Sequence, residues 1–232
     1  MAATAPALAM IVNTSAARPV KVDIWSDIAC PWCFVGKRRF ERAVADWDGE
    51  VEVEFHSFEL APDTPVDFEG SEVDFLAHHK GMDPAQVEQM LGQMTELAAA
   101  EGLAYDFEAL RHTKTLLAHQ ALHFAKEHGL QVELKERLLS AYFEQGRHVG
   151  RVDELVELGA EVGLDADALR VALESQQYAD AVEADIAQAR AYGISGVPFF
   201  VFDGRLGVSG AQDSGVFEQV LQRVVDEAGA EA

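Results

Sequence analysis

Strand-forming residues lie at the two ends of this chain, separated by about 120 residues whose apolar positions recur with a helical period. At the N-terminal end, Val20 to Trp25 alternates and is rich in β-branched residues, so it reads as a buried strand, broken at Ser26-Asp27. Val51 to Phe58 reads as a second strand with Val51, Val53 and Phe55 on one face. Between them Cys33, Gly36, Phe40, Ala43, Val44 and Trp47 mark one face of an amphipathic helix. A strand, a helix and a strand in this order imply a parallel pair. Ala61-Pro62-Asp63-Thr64-Pro65 then reads as a linker.

From Ser71 to about Tyr192 the period is helical. The spacing predicts a helix from Asp83-Pro84 to Gly102, then Thr115 to Glu127, Val132 to Glu144, Val152 to Glu161, Asp165 to Glu174 and Tyr178 to Tyr192. After Gly193, Val197 to Phe202 is an apolar strand, Asp203-Gly204 a turn, Arg205 to Ser209 a hairpin partner, and Asp213 to Glu227 a closing helix. Sheet elements split in this way predict one α/β core, residues 20–62 and 193–228, interrupted by a large all-helical insertion, residues 63–192. Residues 1–19 are expected to be a disordered tail.

The chain's two cysteines stand in Cys30-Pro31-Trp32-Cys33, where the first strand hands over to the helix. Pro31 suits the first helical position, which makes Cys30 the N-cap and places Cys33 on the core-facing stripe. Cys30 is therefore expected at an exposed tip, where another molecule's disulfide can reach it, and Cys33 one turn deeper, where it resolves what forms on Cys30. At the helix N-terminus Cys30 is expected to ionise below an ordinary thiol. The helix dipole supplies about 0.3–2 kcal/mol of this; first-turn N–H groups and the basic run Lys37-Arg38-Arg39 with Arg42 are expected to add the rest. That run also reads as the solvated face of the helix. A zinc site would need more ligands, and His119 and His123 lie far outside the compact spacings of zinc modules, so no metal is expected.

A net charge of −22, from 40 acidic and 18 basic residues, opposes binding to nucleic acid and to anionic membrane surfaces. No stretch reaches the roughly 18 apolar residues of a membrane span. Met1 to Arg18 lacks the basic start of a signal peptide, which leads to the expectation of a cytoplasmic protein. Two close cysteines in a chain with 49% hydrophobic residues serve chemistry better than they would staple a fold.

The run from Val22 through Cys30-Pro31-Trp32-Cys33 to Gly36, with Gly196-Val197-Pro198-Phe199-Phe200 and Ser209-Gly210-Ala211-Gln212, resembles the DsbA-like thioredoxin family, and within it the FrnE branch, from about Val20 to Val225. The resemblance implies a thioredoxin fold with a helical insertion and thiol-disulfide exchange. It makes Cys30 the attacking thiol, Cys33 the resolving thiol, Pro31 and Trp32 the intervening motif residues, and Val197-Pro198 a cis-proline pair that meets substrate. Thr115 to His119 is similar to a Thr…Ala-His stretch of that branch, with Lys114 where Asn is usual. No cofactor is implied beyond the Cys30–Cys33 disulfide, with glutathione a candidate electron donor. The expected partners are disulfide-containing proteins or small thiols, and the expected state is a monomer or homodimer. Two other functions compete: a glutathione-dependent isomerase or transferase acting on a small aromatic or polyketide-like molecule, and a chaperone-like binder without catalysis. Related isomerases and transferases of similar architecture use serine where Cys30 stands.

Overall fold

The computed structural model describes residues 18–231; the expected tail falls almost wholly outside them. Four strands form one sheet in the order β2-β1-β3-β4: β1 (Val20–Ser26), β2 (Val51–Ser57), β3 (Phe199–Phe202) and β4 (Leu206–Ser209). β1 runs parallel to β2, with Val20 opposite Val51 and Ser26 opposite Ser57, and antiparallel to β3, which pairs antiparallel with β4. The helix α1 (Pro31–Ala45) makes the crossover from β1 to β2.

Alternation along β1 sends Val20, Val22 and Ile24 to one face, where Phe40 and Ala43 of α1 meet Phe200 and Phe202 of β3 and Phe217, Leu221 and Val224 of α9 (Ser214–Glu231). Phe34 and Val35, on another side of α1, belong to a separate core built by the helices between β2 and β3. These are α2 (Glu72–Lys80), α3 (Pro84–Ala100), α4 (Leu116–Glu127), α5 (Gln131–Gln145), α6 (Val152–Glu161), α7 (Ala166–Glu174) and α8 (Ala179–Ala191). One helix thus belongs to two cores, and its N-terminus lies where they meet.

Two elements depart from the sequence reading. α2 was not expected as a separate helix, although Ser71 and Asp74 close a reciprocal capping box at its start and Gly81 ends it in the left-handed region at φ 64°. Asp in place of Glu or Gln, and the polar run His78-His79-Lys80 in its last turn, hide its periodicity. β3 starts at Phe199 rather than at Val197, because Pro198 has no N–H to give a ladder. Among the described residues no helix is long and apolar enough to cross a membrane.

Candidate active site

Cys30 is the N-cap of α1, with extended backbone angles, and Pro31 opens the helix. The Cys33 N–H donates to the Cys30 carbonyl at 3.0 Å. Both cysteines carry free thiols. The Val197–Pro198 peptide is cis, and the Cys30 sulfur lies 3.5 Å from the Val197 carbonyl oxygen. Gly210 donates its N–H to the Pro198 carbonyl at 2.8 Å, so the Ser209–Gln212 turn holds the proline from behind. Tyr105 fixes the motif from the helical side by donating to the Pro31 carbonyl at 2.7 Å.

Gly36 lets α1 approach this loop. A Cβ there would stand 2.9 Å from Pro198 Cγ and 3.3 Å from Ala211 Cβ, and a proline ring cannot swing away as a flexible side chain would. Gly to Ala within a helix ordinarily gains about 1 kcal/mol. At Gly36 the overlap reverses the sign, and Gly36→Ala is expected to destabilise by about 1–3 kcal/mol. Denaturant midpoints check this; a variant more stable than the parent would show that the loop yields freely.

Cys30 is 3% exposed and Cys33 2%, which corrects the expectation of Cys30 at an open tip. Trp32 is the motif residue that faces outward, at 43% exposure. Cys30 is instead reached through a cavity of about 620 Å³, walled by α2 and α3 through Phe75, Met90 and Met94 and by Val197 on the opposite side. Cys33 does not line it. The helices that follow β2 roof the sulfur over, and no local signal around the motif announces them.

The two thiols ionise as a unit. The hydrogen bond that Cys30 donates to the Cys33 sulfur, its burial, and the neighbouring Cys33 and Asp27 charges push Cys30 well above an ordinary thiol. Cys33 falls below one: burial opposes this, but the bond from Cys30, the Lys135 charge and bonds from the Ser26 side chain and the Asp27 N–H outweigh it. The expectation that Cys30 alone would be depressed is thus corrected, because a carboxylate lies near Cys30 and an ammonium near Cys33. The basic run supplies neither charge. Lys37 pairs with Glu41 and Glu136, Arg38 with the same two carboxylates, and Arg39 and Arg42 with Glu101 at 2.6 and 2.8 Å. These residues fasten α1 to α5 and to the end of α3, and Lys37 is 4% exposed, so the reading of a solvated face is corrected for Lys37, while Arg42 is exposed.

Asp27, which the sequence marked as a strand break, is the node beneath the motif. Its Oδ1 accepts from Ile28 N–H at 2.7 Å, Thr115 Oγ1 at 2.8 Å and His119 Nε2 at 3.2 Å, and its Oδ2 accepts from Leu60 N–H at 2.8 Å. Burial opposes its ionisation; the His119 bond and the other donors nevertheless hold it below the usual carboxylate range. Burial lowers His119 too, so its ring is neutral, donates from Nε2, and leaves Nδ1 buried without a protein partner. The Thr115–His119 stretch therefore anchors the turn that carries Cys30. Glu59 lies nearby, its carboxyl pushed up to about 7 by burial and then by the Asp27 charge.

A second polar cluster joins β2 to α4 and α8. His56 bonds Asp185 Oδ1 through Nδ1 at 2.8 Å and Asp23 Oδ1 through Nε2 at 2.9 Å, while Asp185 Oδ2 accepts from Ser57 N–H at 2.7 Å and faces His123 Nε2 at 3.1 Å. Burial works against the charged ring, but the two carboxylates raise His56 to about 9. Trp25 stacks on it at 4.5 Å. His123 thus bonds within this cluster and His119 at Asp27; neither approaches the cysteines as a zinc ligand set. Asp23, Glu54 and His56 offer ligand atoms within 4.8 Å of one another, but Lys21 Nζ takes both carboxylates at 3.1 Å. A salt-bridged lysine fills the role a cation would have.

A strand ending in CPWC at a helix N-terminus, a cis-proline loop against the first thiol and a helical insertion over it form one arrangement. The DSBA-like thioredoxin domain matches residues 21–222. The uncharacterized protein YwbO of Bacillus subtilis (strain 168) is 32% identical over 204 residues, covering 87% of this chain and 96% of that protein. The crystal structure of the probable DsbA oxidoreductase SCO1869 of Streptomyces coelicolor superposes with a TM-score of 0.84 at 42% identity, covering 90% of this chain and 91% of that one. The cytosolic disulfide reductase DsbM of Pseudomonas aeruginosa, solved with GSH, shares the fold at a TM-score of 0.61 and 19% identity over 89% of this chain and 99% of its own. With nearly the whole chain accounted for by one family, from the first strand to the last helix, the protein is a member of the DSBA-like thioredoxin family.

Proposed function

We propose that the protein is a thiol-disulfide oxidoreductase in which Cys30 attacks the substrate and Cys33 resolves the product. The observation that carries this reading is the asymmetry of the pair: of two adjacent free thiols, Cys30 lines the cavity and Cys33 lies behind it. When a disulfide R–S–S–R′ approaches, the Cys30 proton moves to Cys33 along the bond between the sulfurs. Cys30 thiolate attacks R–S, a Cys30–S–S–R mixed disulfide forms, and R′–S⁻ leaves. Cys33 passes its proton to R′–S⁻ and, as the thiolate, attacks the Cys30 sulfur, closing the Cys30–Cys33 disulfide and releasing R–S⁻. Pro31 opens the helix that presents Cys30, and Trp32 stands at the cavity mouth. Val197 lines the cavity beside the sulfur, held there by the cis bond to Pro198, and an extended substrate segment lies against this loop backbone.

The cavity falls within the roughly 300–1,000 Å³ of small-molecule sites, a size suited to a small-thiol disulfide or to one cystine of a protein loop. A small thiol of the glutathione class as electron donor agrees with that size. With a potential of about −150 mV, the protein would begin its cycle reduced in a cytoplasm, whose glutathione poise is about −220 to −320 mV, and act as a reductase or isomerase. The FrnE branch is part of this reading.

Insulin reduction and turnover of oxidised glutathione test it. Both are expected with the parent protein and to vanish with Cys30→Ser; equal rates without Cys30 would refute the reading. A second reading, glutathione transfer to a small apolar molecule, is favoured by the aromatic and methionine lining of the cavity. Conjugation of a model electrophile that survives Cys33→Ser while disulfide exchange is lost would select it.

A further inference from the structure

We propose that Lys135 of α5 is the buried counter-charge of the Cys30–Cys33 pair, so that the helical insertion sets the redox potential of the motif. Lys135 is 0% exposed, and its Nζ has no hydrogen-bond partner among the described residues. Its Nζ stands 5.6 Å from the centre of the Phe55 ring. A buried ammonium costs several kcal/mol unless a negative charge lies near it. Burial opposes its charged form, as does Lys37, while Cys33, Asp27 and Cys30 favour it; His119 on α4 is neutral. Lys37 already has two carboxylates. Asp27 contributes charge but spends its lone pairs on four other donors. The partner left for Lys135 is therefore the thiolate, and this partner exists in one redox state and is absent in the other.

In the charged form of the reduced pair one sulfur is a thiolate, the other a thiol, and Lys135 is an ammonium. When a substrate disulfide takes two electrons from the pair, the Cys30–Cys33 bond forms, the thiol proton and one Lys135 proton pass to the two product thiols, and Lys135 is left neutral. The direction of the shift agrees: burial already lowers Lys135 to about 8 with the thiolate beside it. By holding the thiolate, Lys135 favours the reduced state and makes the motif more oxidising than the pair would be alone.

The inference rests on the thiol-disulfide reading, and its test does not use turnover. The parent, Lys135→Met and Lys135→Gln are equilibrated with glutathione redox buffers, and thiolate absorbance is titrated in each. Both variants are expected to shift the equilibrium about tenfold toward the disulfide, which is about 30 mV, and to move the thiolate titration to higher pH. They are also expected to stabilise the oxidised protein more than the reduced one, whereas a purely structural lysine would shift both states alike. In the unsubstituted protein, the Lys135 ¹³Cε resonance is expected to titrate at lower pH after oxidation. Unchanged equilibria in folded variants, or a Lys135 titration identical in the two redox states, would overturn the proposal. A parent protein that forms no Cys30–Cys33 disulfide in these buffers would instead overturn the reading of its function.

Discussion

Cys33→Ser is expected to turn the protein from a catalyst into a trap. With the resolving sulfur gone, the mixed disulfide on Cys30 can leave only by attack of an outside thiol, and steady-state disulfide turnover should fall by at least about a thousandfold. The substitution removes little volume at a site that is 2% exposed, so the fold is expected to persist. It also removes the sulfur whose bond and charge raise Cys30, so the first attack should remain fast near neutral pH. Mass spectrometry after incubation with oxidised glutathione should show one adduct on Cys30. Cys30→Ser should show none, because Cys33 does not reach the cavity. Adducts on Cys33 in that variant would mean that the sulfurs exchange roles, and the assignment drawn from the cavity would fall.

The frame of the protein was legible because it is written in local periods. α6 spans Val152–Glu161 as its apolar spacing predicts, and the split of strand signals between the chain ends appears as one sheet interrupted by helices. The motif was equally legible, since Pro31 at the first helical position fixes Cys30 as the N-cap whatever packs above it. What the sequence did not disclose depends on which distant faces meet. Lys135 stands in Leu134-Lys135-Glu136-Arg137, a run that reads as surface charge, and is buried only because α5 packs against β2 behind α1. Lys37 and Arg38 were expected to serve the thiol, but Glu136 and Glu41 claim them across the same contact. The burial of Cys30 has the same origin, since α2 and α3 carry no pattern that says where they will lie.

Asp185→Asn is expected to be among the most destabilising single changes in the chain, costing about 3–5 kcal/mol, the scale of breaking a buried ion pair from one side. Two donors end on its two oxygens, His56 Nδ1 on one and Ser57 N–H on the other, and His123 Nε2, bonded to Ser57 Oγ, stands 3.1 Å from the second. An amide has one oxygen, so either orientation turns a donor toward donors. The same carboxylate closes α8 over the sheet, where its backbone carbonyl accepts from Trp25 Nε1 at 3.1 Å. The pH dependence follows from two opposite shifts. His56 is raised from 6.5 to about 9, so its contribution is complete below the unfolded value and is lost as pH rises through about 9. Asp185 is depressed despite its burial, chiefly by the His123 and His56 bonds, so its contribution is present above the unfolded carboxylate range and is lost as pH falls. Urea unfolding of the parent from acid to alkaline pH should give a plateau with a fall on each side. In Asp185→Asn the plateau should be lower and its alkaline limb should move toward neutrality, as His56 loses the stronger of its two carboxylates. An unchanged alkaline limb would mean that Asp23 alone holds the imidazolium, and a loss below about 1 kcal/mol would place this site among ordinary surface pairs.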